Sequence, residues 1–367
     1  MYLKQVSLIN FKNYTEASVV FHPKLNCFTG ANGMGKTNLL DAIYYLSFCK
    51  SFFNTADSQN ISFEQDFFMI QGLFDTGTET EAIYCGVKRT QKKVFKRNKK
   101  EYEKLADHIG LFPLVMISPT DTTLISGGSD QRRRFIDGII SQFDKLYLEN
   151  LVQYNHILQQ RNALLKYFSS TRSFDSISLE VWDEQLIRYG TYIHDARENF
   201  LLEFIPVFKR YYQLISATNE QVNLKYVSTI QQDYKTTLQS AIKKDCGLEH
   251  TSVGIHRDDL DFLLNDKQLK NIASQGQQKT YVVSLKLSQY EFIKNKTGIK
   301  PLLLLDDIHD KLDEHRFKKL IQLVASSEFG QVFITDTDTE RIKKLFDKSN
   351  VDRKVFKVEN AEINEVD

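Results

Sequence analysis

The chain has 367 residues, 41% hydrophobic and 26% charged, with a formal net charge of +1. This length allows two or three domains, and no apolar run reaches the ~20 residues that cross a bilayer. Because the charge is nearly balanced, a nucleic-acid surface would have to be a local patch. Four scattered cysteines without a Cys-x-x-Cys pair disfavour a zinc site or a disulfide framework. The N-terminus lacks the apolar centre of a signal peptide, so a cytoplasmic protein without membrane contact is expected.

Roughly the first 110 residues have the patterns of an α/β domain. Alternation of apolar and polar residues predicts short strands at Gln5–Ile9, Ala17–Phe21, Leu25–Thr29, Phe68–Phe74, Ala82–Lys88 and Lys93–Arg97. Asn98-Lys99 is expected to turn the chain after the last of these strands.

A phosphate-binding loop follows the third predicted strand. Gly30-Ala31-Asn32-Gly33-Met34-Gly35-Lys36-Thr37 matches the P-loop pattern Gly-x-x-x-x-Gly-Lys-Thr, and apolar residues at helical spacing come after it. The glycines let backbone N–H groups point at phosphate oxygens. Lys36 would contact the β- and γ-phosphates, and the Thr37 hydroxyl would ligate Mg²⁺. These flanks favour an ATP and Mg²⁺ site over an ordinary glycine-rich turn.

The densest basic stretch is Lys88–Lys100. It predicts salt-dependent contacts with DNA phosphates through Lys92, Lys93, Lys96, Arg97, Lys99 and Lys100. Lysines on an exposed hairpin also block edge-to-edge association, so both interpretations stay open. Arg132-Arg133-Arg134 is a second candidate, although on a helix at most one or two of these side chains can share a face.

Helical patterns dominate from about Gln131 to Ser216. A polar break at Ser169–Ser173 precedes a second long helix, predicted at Leu179–Phe208, so two antiparallel helices should form an arm. The α/β pattern then returns. We therefore expect three segments: residues 1–115 and 221–367 as two parts of one α/β head, and residues 116–220 as an inserted helical arm domain. The acidic tail after Val358 is expected to fray.

A second part of the nucleotide site is predicted near the far end of the chain. Leu302–Leu305 is typical of a strand buried on both faces, and it ends in Asp306 and Asp307. Asp306 would hold Mg²⁺, while Asp307 would polarise the attacking water and act with Lys36 in catalysis. The alternative is a buried strand that ends in two exposed acids. The separation from Lys36 implies a nucleotide fold assembled from both ends of the chain.

A polar segment ahead of that strand, Ser274-Gln275-Gly276-Gln277-Gln278, opens a predicted helix. It resembles the signature motif of ABC-type ATPases, which in that family meets the γ-phosphate of ATP bound to the other subunit. A helix N-terminus with a serine hydroxyl and a glycine N–H suits an anion. The resemblance thus implies that Ser274, Gln275, Gly276 and Gln277 bind nucleotide across a dimer, although a simple polar helix cap would look the same.

Further motifs along nearly the whole chain resemble the RecF family, whose ATPase head is shared with SMC-type chromosome proteins. They are Asn10–Tyr14 (family Asn-Phe-Arg-Asn-Tyr), Ser118–Asp121, Leu124–Gly127, Arg132–Asp137, Gly254–Leu260 (family Gly-Pro-His-Arg-Asp-Asp-Leu) and Asp310–Asp313 in the place of the D-loop. The resemblance implies an ABC-type P-loop ATPase head with an inserted helical arm. Within the fifth motif, His256-Arg257-Asp258-Asp259 is either a structural ion pair or a group near the nucleotide.

The resemblance also implies a function. ATP would be sandwiched between two heads, closing a homodimer on double-stranded DNA near single-strand gaps, with single-stranded DNA as a further possible ligand. RecR and RecO would be the partners in loading recombinase.

Two departures from the family do not touch the core nucleotide chemistry: Ile255 replaces proline, and Asp310, which could alter contacts across subunits, replaces the D-loop serine. Other departures predict slow hydrolysis, beginning with Asp307, which stands where glutamate is expected. The predicted strand Gln331–Thr335 is followed by no switch histidine, and Pro119-Thr120 holds no Q-loop glutamine. Because such groups position water, weak ATPase activity is expected.

Other functions compete with this hypothesis. An ATP-gated DNA clamp without meaningful turnover would need the same nucleotide site. An ABC motor subunit would need a Q-loop, a switch histidine and Walker motifs about 100 residues apart, which the long insertion disfavours. A nuclease of the overcoming-lysogenisation type would need an added acidic metal domain, for which the chain is too short.

Overall fold

The strands and helices of the chain follow its residue patterns closely. The computed structural model describes residues 1–216, 218–230, 233–307, 314–346 and 352–366. The strands are β1 (Tyr2–Phe11), β2 (Tyr14–Val20), β3 (Leu25–Thr29), β4 (Phe67–Asp75), β5 (Thr80–Lys88), β6 (Val94–Arg97), β7 (Lys100–Glu101), β8 (Leu114–Ile117), β9 (Val222–Val227), β10 (Asp259–Leu264), β11 (Lys267–Gln268), β12 (Leu302–Leu305), β13 (Val332–Asp336), β14 (Arg353–Glu359) and β15 (Glu362–Glu365). The helices are α1 (Lys36–Phe48), α2 (Thr123–Ser126), α3 (Ser129–Ile140), α4 (Lys145–Thr171), α5 (Ser176–Ser216), α6 (Tyr234–Leu248), α7 (Leu269–Ile272), α8 (Gln275–Thr297), α9 (Glu314–Ala325) and α10 (Thr339–Phe346).

Contacts divide the chain into two units. The first contains Met1–Asp121, Leu214–Ala217 and Gln275–Asp367; the second contains Thr122–Gln213 and Thr218–Ser274. A head assembled from both ends of the chain is thus confirmed. The second unit extends beyond residue 220, where the sequence pattern placed its end. The reason is that β9, β10 and β11 form a separate antiparallel sheet, and β10 packs against α3.

The first unit contains an antiparallel sheet in the order β2-β1-β4-β5-β6-β7. Its strands alternate between buried and exposed side chains, and the buried set, including Leu8, Ile70 and Ile83, joins Leu40 of α1 in one apolar core. Burial of alternate residues fixes the register, because a one-residue slip would expose this whole face. The predicted turn at Asn98-Lys99 is confirmed: both residues have positive φ, 49° and 72°.

The other sheet of this unit has the order β15-β14-β3-β13-β12-β8. All neighbours from β14 to β8 are parallel, so β3, β13 and β12 end at the same edge. Their side chains are buried on both faces, as expected for the centre of a parallel sheet. Ligands of open parallel sheets bind at this carboxyl edge.

The acidic tail is ordered, so the expectation of fraying is wrong. β14 pairs in parallel with β3, and β15 pairs back onto β14. Val355 and Val358 are fully buried, and the N–H of Val366 donates to the Val355 carbonyl at 2.8 Å. Through this pairing β14 covers the edge of β3 that would otherwise be unpaired.

The second unit contains the predicted helical arm. Side-chain contacts run in opposite directions along α4 and α5: the Arg161 guanidinium meets Asp183 at 2.6 Å, whereas Arg197, further along α5, meets the Tyr147 hydroxyl at 3.1 Å. The earlier residue of α4 contacts the later residue of α5, and the later residue of α4 contacts the earlier one. The two helices are therefore antiparallel. No helix in the described ranges combines the length and the apolar character needed to span a membrane.

One buried histidine of the first unit leads to a pH prediction. His108 contacts the Leu46 carbonyl at 2.6 Å and the Tyr102 hydroxyl at 3.0 Å, and burial lowers its pKa from 6.5 to about 4. Between these pH values the unfolded chain binds a proton that the folded chain does not bind. The free energy of unfolding should therefore fall as the pH decreases from 6.5 to 4, by up to about 1.4 kcal/mol per pH unit.

Urea unfolding of the wild type and His108→Gln at several pH values would test this prediction. The variant should be less stable at pH 7, because it loses ring packing, but the difference should narrow as the pH decreases. Parallel pH profiles would contradict the proposed protonation.

Candidate functional site

The glycine-rich loop runs from the end of β3 to the start of α1, as the P-loop pattern requires. Gly30 and Gly35 have φ values of 149° and 118°. A Cβ atom on Gly30 would lie 2.2 Å from the Val358 carbonyl oxygen, and one on Gly35 would lie 2.8 Å from the Tyr14 hydroxyl. Only glycine meets both the conformational and the steric demand at these positions.

Three residues outside the P-loop pattern brace this loop. The Tyr14 hydroxyl donates to the Gly35 carbonyl at 3.0 Å. The Met34 carbonyl accepts from the Asn13 side-chain amide at 3.3 Å and from the Ala361 N–H at 3.1 Å. The β1–β2 turn and the β14–β15 turn therefore hold the loop from opposite ends of the sequence. The family-like Asn13-Tyr14 pair was visible in the sequence, but no role could be assigned to it there.

Lys36 and Thr37 begin α1. The Lys36 ammonium donates to the Gly30 and Ala31 carbonyls at 2.7 and 2.9 Å, which holds its charge over the loop. The Thr37 hydroxyl donates to Asp306, at 2.9 Å to Oδ1 and 3.2 Å to Oδ2. The structure thus brings the P-loop and the acid that follows β12 into direct contact.

Asp306 is 3% exposed, so it is a buried carboxylate at the edge of the sheet, not an exposed end of the strand. Burial raises its pKa to about 6, against the opposing effect of hydrogen bonds from Thr335 and Thr37. Its oxygens and the Thr37 hydroxyl are hard donors of the kind that Mg²⁺ takes. Mg²⁺ needs few protein ligands when phosphates and waters complete the shell, so these residues fit the ion.

Asp307 follows with a half-buried side chain and a left-handed backbone, φ 42°. Its N–H donates to the Thr335 hydroxyl at 2.9 Å, and the same hydroxyl donates to Asp306 Oδ1 at 2.9 Å. Thr335 was missed as a site residue. Its only sequence signal was its place at the end of a buried strand, and that signal becomes informative once β13 is known to lie beside β12.

The signature-like residues lie at the start of α8, a 23-residue helix. Ser274 and Gln275 are exposed, whereas Gly276 and Gln277 are half-buried. The Gly276 carbonyl accepts from the Thr280 hydroxyl at 2.9 Å. The long helix and its exposed first residues agree with an N-terminal anion contact, and they agree equally with a capped helix end.

At the position of the missing switch histidine, the structure shows a salt bridge. Asp336, 2% exposed, ends β13 and pairs with Arg341 of α10, where a switch histidine would follow the strand in ABC proteins. The D-loop prediction, Asp310–Asp313, lies outside the described residues.

The basic stretch divides into two groups. Lys93 is 15% exposed and donates to Asp57 at 2.8 Å and to the Cys49 carbonyl at 2.6 Å. Arg97 pairs with the buried carboxylate of Glu81 at 2.8 Å. The remaining candidates keep their charge at the surface: Lys92, Lys99 and Lys100 are exposed, and Lys96 is half-buried with its ammonium 5.8 Å from the Tyr84 ring centroid.

The His256–Asp259 segment is part of a charge network within the second unit. Fully buried Asp258 accepts from the Ser228 hydroxyl at 2.7 Å and from Arg197 at 3.3 Å, and Tyr226 also donates to it. His256 contacts the Tyr154 hydroxyl at 2.8 Å, and burial lowers its pKa to about 4. These contacts support the structural interpretation of the motif.

Two of the three consecutive arginines belong to the same network. Arg132 forms a two-point salt bridge with Asp259 at 2.6 and 2.9 Å, and Arg133 donates to the Asp258 carbonyl at 2.6 Å. Arg134 remains exposed, 3.7 Å from Asp130. At most one of the three therefore offers its charge to a ligand.

A P-loop after β3 that contacts the acid after β12, one strand away in the same parallel sheet, in a head assembled from both chain ends, defines an ABC-type P-loop ATPase head. The family model described as RecF/RecN/SMC N terminal domain matches residues 2–364. The chain is 50% identical to the DNA replication and repair protein RecF of Phocaeicola vulgatus, covering 100% of this chain and 98% of that protein. RecF of Flavobacterium johnsoniae is 48% identical, over 97% and 99%. The chain therefore belongs to the RecF family.

Solved structures agree with this assignment. The recombination mediator protein RecF-ATP in the RecFOR pathway superposes with a TM-score of 0.90 at 31% identity, covering 100% of this chain and 98% of that one. The Smc head domain from Pyrococcus furiosus, at 16% identity, has a TM-score of 0.58 over 100% and 96%. The latter likeness shows the shared fold of the head.

The Asp258 network can be tested by mutation. Asp258→Asn should lower the free energy of unfolding by about 3 kcal/mol, because it removes a buried charge from the buried Arg197. Urea unfolding measures the loss. Asp261→Asn, which lies in β10, the strand that begins directly after Asp258, and is half-buried, is the matched control and should change stability little. Unchanged stability of the Asp258 variant, with loss of nucleotide binding, would contradict the structural role.

Proposed function

We propose that this RecF-family chain is an ATP-dependent DNA-binding protein of recombinational repair and replication. The hydrogen bond between Thr37 and Asp306 carries the proposal, because it joins the phosphate-binding loop to the acid that a nucleotide-bound metal needs. The solved RecF-ATP relative, alike over the whole chain, supports ATP as the nucleotide.

In this proposal each residue of the site has one role. The N–H groups of Gly30–Thr37 and the Lys36 ammonium bind the phosphates. Thr37 and Asp306 hold Mg²⁺, whose charge offsets that of the phosphates, and Asp307 polarises the attacking water. Asp307 is shorter than glutamate and Asp336 is engaged by Arg341, so water is poorly positioned and hydrolysis is slow. DNA is proposed to stimulate this weak ATPase.

ATP also holds the two subunits of a homodimer together. Ser274, Gln275, Gly276 and Gln277 of one subunit meet the γ-phosphate held by the other subunit. The exposure of Ser274 and Gln275 at a long helix N-terminus supports this role. Because ATP would contact both subunits only when they are joined, it has a higher affinity for the closed state and shifts the population toward it.

The ligand of the closed dimer is double-stranded DNA at single-strand gaps, with single-stranded DNA as a further ligand. Lys92, Lys99 and Lys100, with Lys96 beside them, offer the exposed charge. RecR and RecO are the proposed partners in loading recombinase, and the cytoplasm is the proposed compartment. The RecFOR pathway named for the solved relative supports these partners.

An ATP-gated clamp without meaningful turnover is the second candidate. The short side chain of Asp307 favours it, because water polarisation would be weak. Steady-state hydrolysis in the presence of DNA separates the two candidates: a rate unchanged by Asp307→Asn would favour the clamp.

The dimer prediction concerns the signature segment. Ser274→Arg should leave nucleotide affinity within about threefold of wild type yet prevent ATP-dependent dimerisation, since the bulky cation blocks only the contact in the other subunit. Light scattering with and without Mg²⁺-ATP and gapped DNA measures the assembly state. Lys36→Met is the comparison variant, and it should lose both nucleotide binding and dimerisation. Loss of nucleotide binding in the Ser274 variant would place the signature in the same subunit's site, and an ATP-dependent Lys36→Met dimer would contradict the P-loop assignment.

The DNA prediction concerns the lysines of the basic stretch whose side chains are exposed. Replacing Lys92, Lys99 and Lys100 together by Gln should weaken binding to duplex DNA and reduce the slope of log K against log[salt] by about 2 to 3, as expected for three lost phosphate contacts. Fluorescence anisotropy at several salt concentrations measures the slope. Replacing Lys318, Lys344 and Lys357, which are exposed in the same unit, is the charge-matched control. An equal effect of both triple variants would contradict a DNA surface at this hairpin.

A further inference from the structure

Thr335 occupies a central position between the two acids of the site. β13 lies beside β12 in parallel register, with Leu305 opposite Ile334, so the residues that follow them are also neighbours. The Thr335 side chain is 1% exposed. Its hydroxyl donates to Asp306 Oδ1 at 2.9 Å and accepts from the Asp307 N–H at 2.9 Å.

A hydroxyl group has one proton to donate, and here both of its functions are used. The proton is directed at Asp306 Oδ1, the oxygen that also accepts from the Thr37 hydroxyl at 2.9 Å, so Thr335 and Thr37 together restrain the rotation of that carboxylate. A lone pair of the Thr335 oxygen accepts the hydrogen bond from the Asp307 N–H. One side chain therefore sets the orientation of both acids at once.

The second of these contacts acts on a strained residue. Asp307 has φ 42°, a left-handed conformation that costs an L-residue free energy unless the surroundings hold it. The bond from its N–H to Thr335 is a restraint that holds this conformation. Without this hydrogen bond, the Asp307 backbone could leave the left-handed conformation, and the direction of its side chain would no longer be fixed.

We propose that Thr335 is a positioning residue of the nucleotide site, which directs Asp306 toward the metal position and holds Asp307 in its left-handed conformation. The inference rests on the proposed function, because it assigns Thr335 to the same magnesium–ATP site. It predicts that the Thr335 hydroxyl matters for the magnesium-dependent part of nucleotide binding and for hydrolysis, but not for the magnesium-independent part.

The test compares Thr335→Val, which keeps the shape and removes the hydroxyl, with Thr335→Ser, which restores the hydroxyl. A fluorescent ATP analogue is titrated in EDTA and in Mg²⁺, and single-turnover hydrolysis of ATP is followed separately. In Thr335→Val the gain in affinity on adding Mg²⁺ and the hydrolysis rate should each fall about tenfold, which corresponds to about 1.4 kcal/mol. Its affinity in EDTA should stay within about twofold, and Thr335→Ser should recover most of both losses.

Ser288→Ala is the matched control, because it removes another fully buried hydroxyl of the same unit and should leave both quantities unchanged. If Thr335→Val does not fold, Thr335→Ala replaces it. A wild-type magnesium gain in the valine variant would overturn the inference, as would an equal loss of affinity in EDTA and Mg²⁺. If the wild-type chain binds the analogue but does not hydrolyse ATP, only the ATPase part of the proposed function fails, and the titration still decides the role of Thr335. A wild-type chain that does not bind the analogue would overturn both.

Discussion

The hydrogen bond between the Thr37 hydroxyl and the Asp306 carboxylate joins residues 269 positions apart, and the architecture of the first unit makes it possible. It needs β3 and β12 to end at the same edge of one sheet, with a single strand between them. This strand order requires the chain, after a long insertion, to add β12, β13 and β14 to the sheet that contains β3, the strand before the P-loop. The sheet's buried aliphatic strands supply the free energy for this return.

Burial of the Asp306 carboxylate in this contact costs free energy, and that cost indicates the function of the site. Asp306 is buried beside a second carboxylate, and the surrounding hydroxyls only partly offset the loss of its hydration, so its pKa rises to about 6. A carboxylate placed there for stability alone would be a poor choice, since an apolar residue of similar size would avoid that penalty. A cation bound at this position would remove it. The strained backbone of Asp307 next to Asp306 fits the same view, because strain tends to collect at functional sites.

Features set by local patterns could be predicted from the sequence, and features set by the fold could not. The P-loop and the Leu302–Leu305 strand are local, so their positions were predicted correctly. Thr335 could not be identified, because its role depends on which strand lies beside β12. The tail after Val358 was misjudged because its order depends on the pairing of β15 with β14, which itself pairs with β3. Residues 221–274 joined the second unit for a similar reason: their strands find partners within that unit.

Charge density was the least reliable guide to function, and burial explains why. Lys93 and Arg97 belong to the densest basic stretch, yet each is held by a carboxylate and stabilises the antiparallel sheet. Arg132 is likewise part of a conspicuous basic run, but it closes a salt bridge to Asp259 within the second unit. A cation that already pairs with a carboxylate cannot serve a phosphate without leaving that carboxylate unpaired, and the penalty is greatest for the buried Glu81. The charge available to the proposed DNA ligand is therefore smaller than the sequence suggests, and within the basic stretch it includes the exposed Lys92, Lys99 and Lys100.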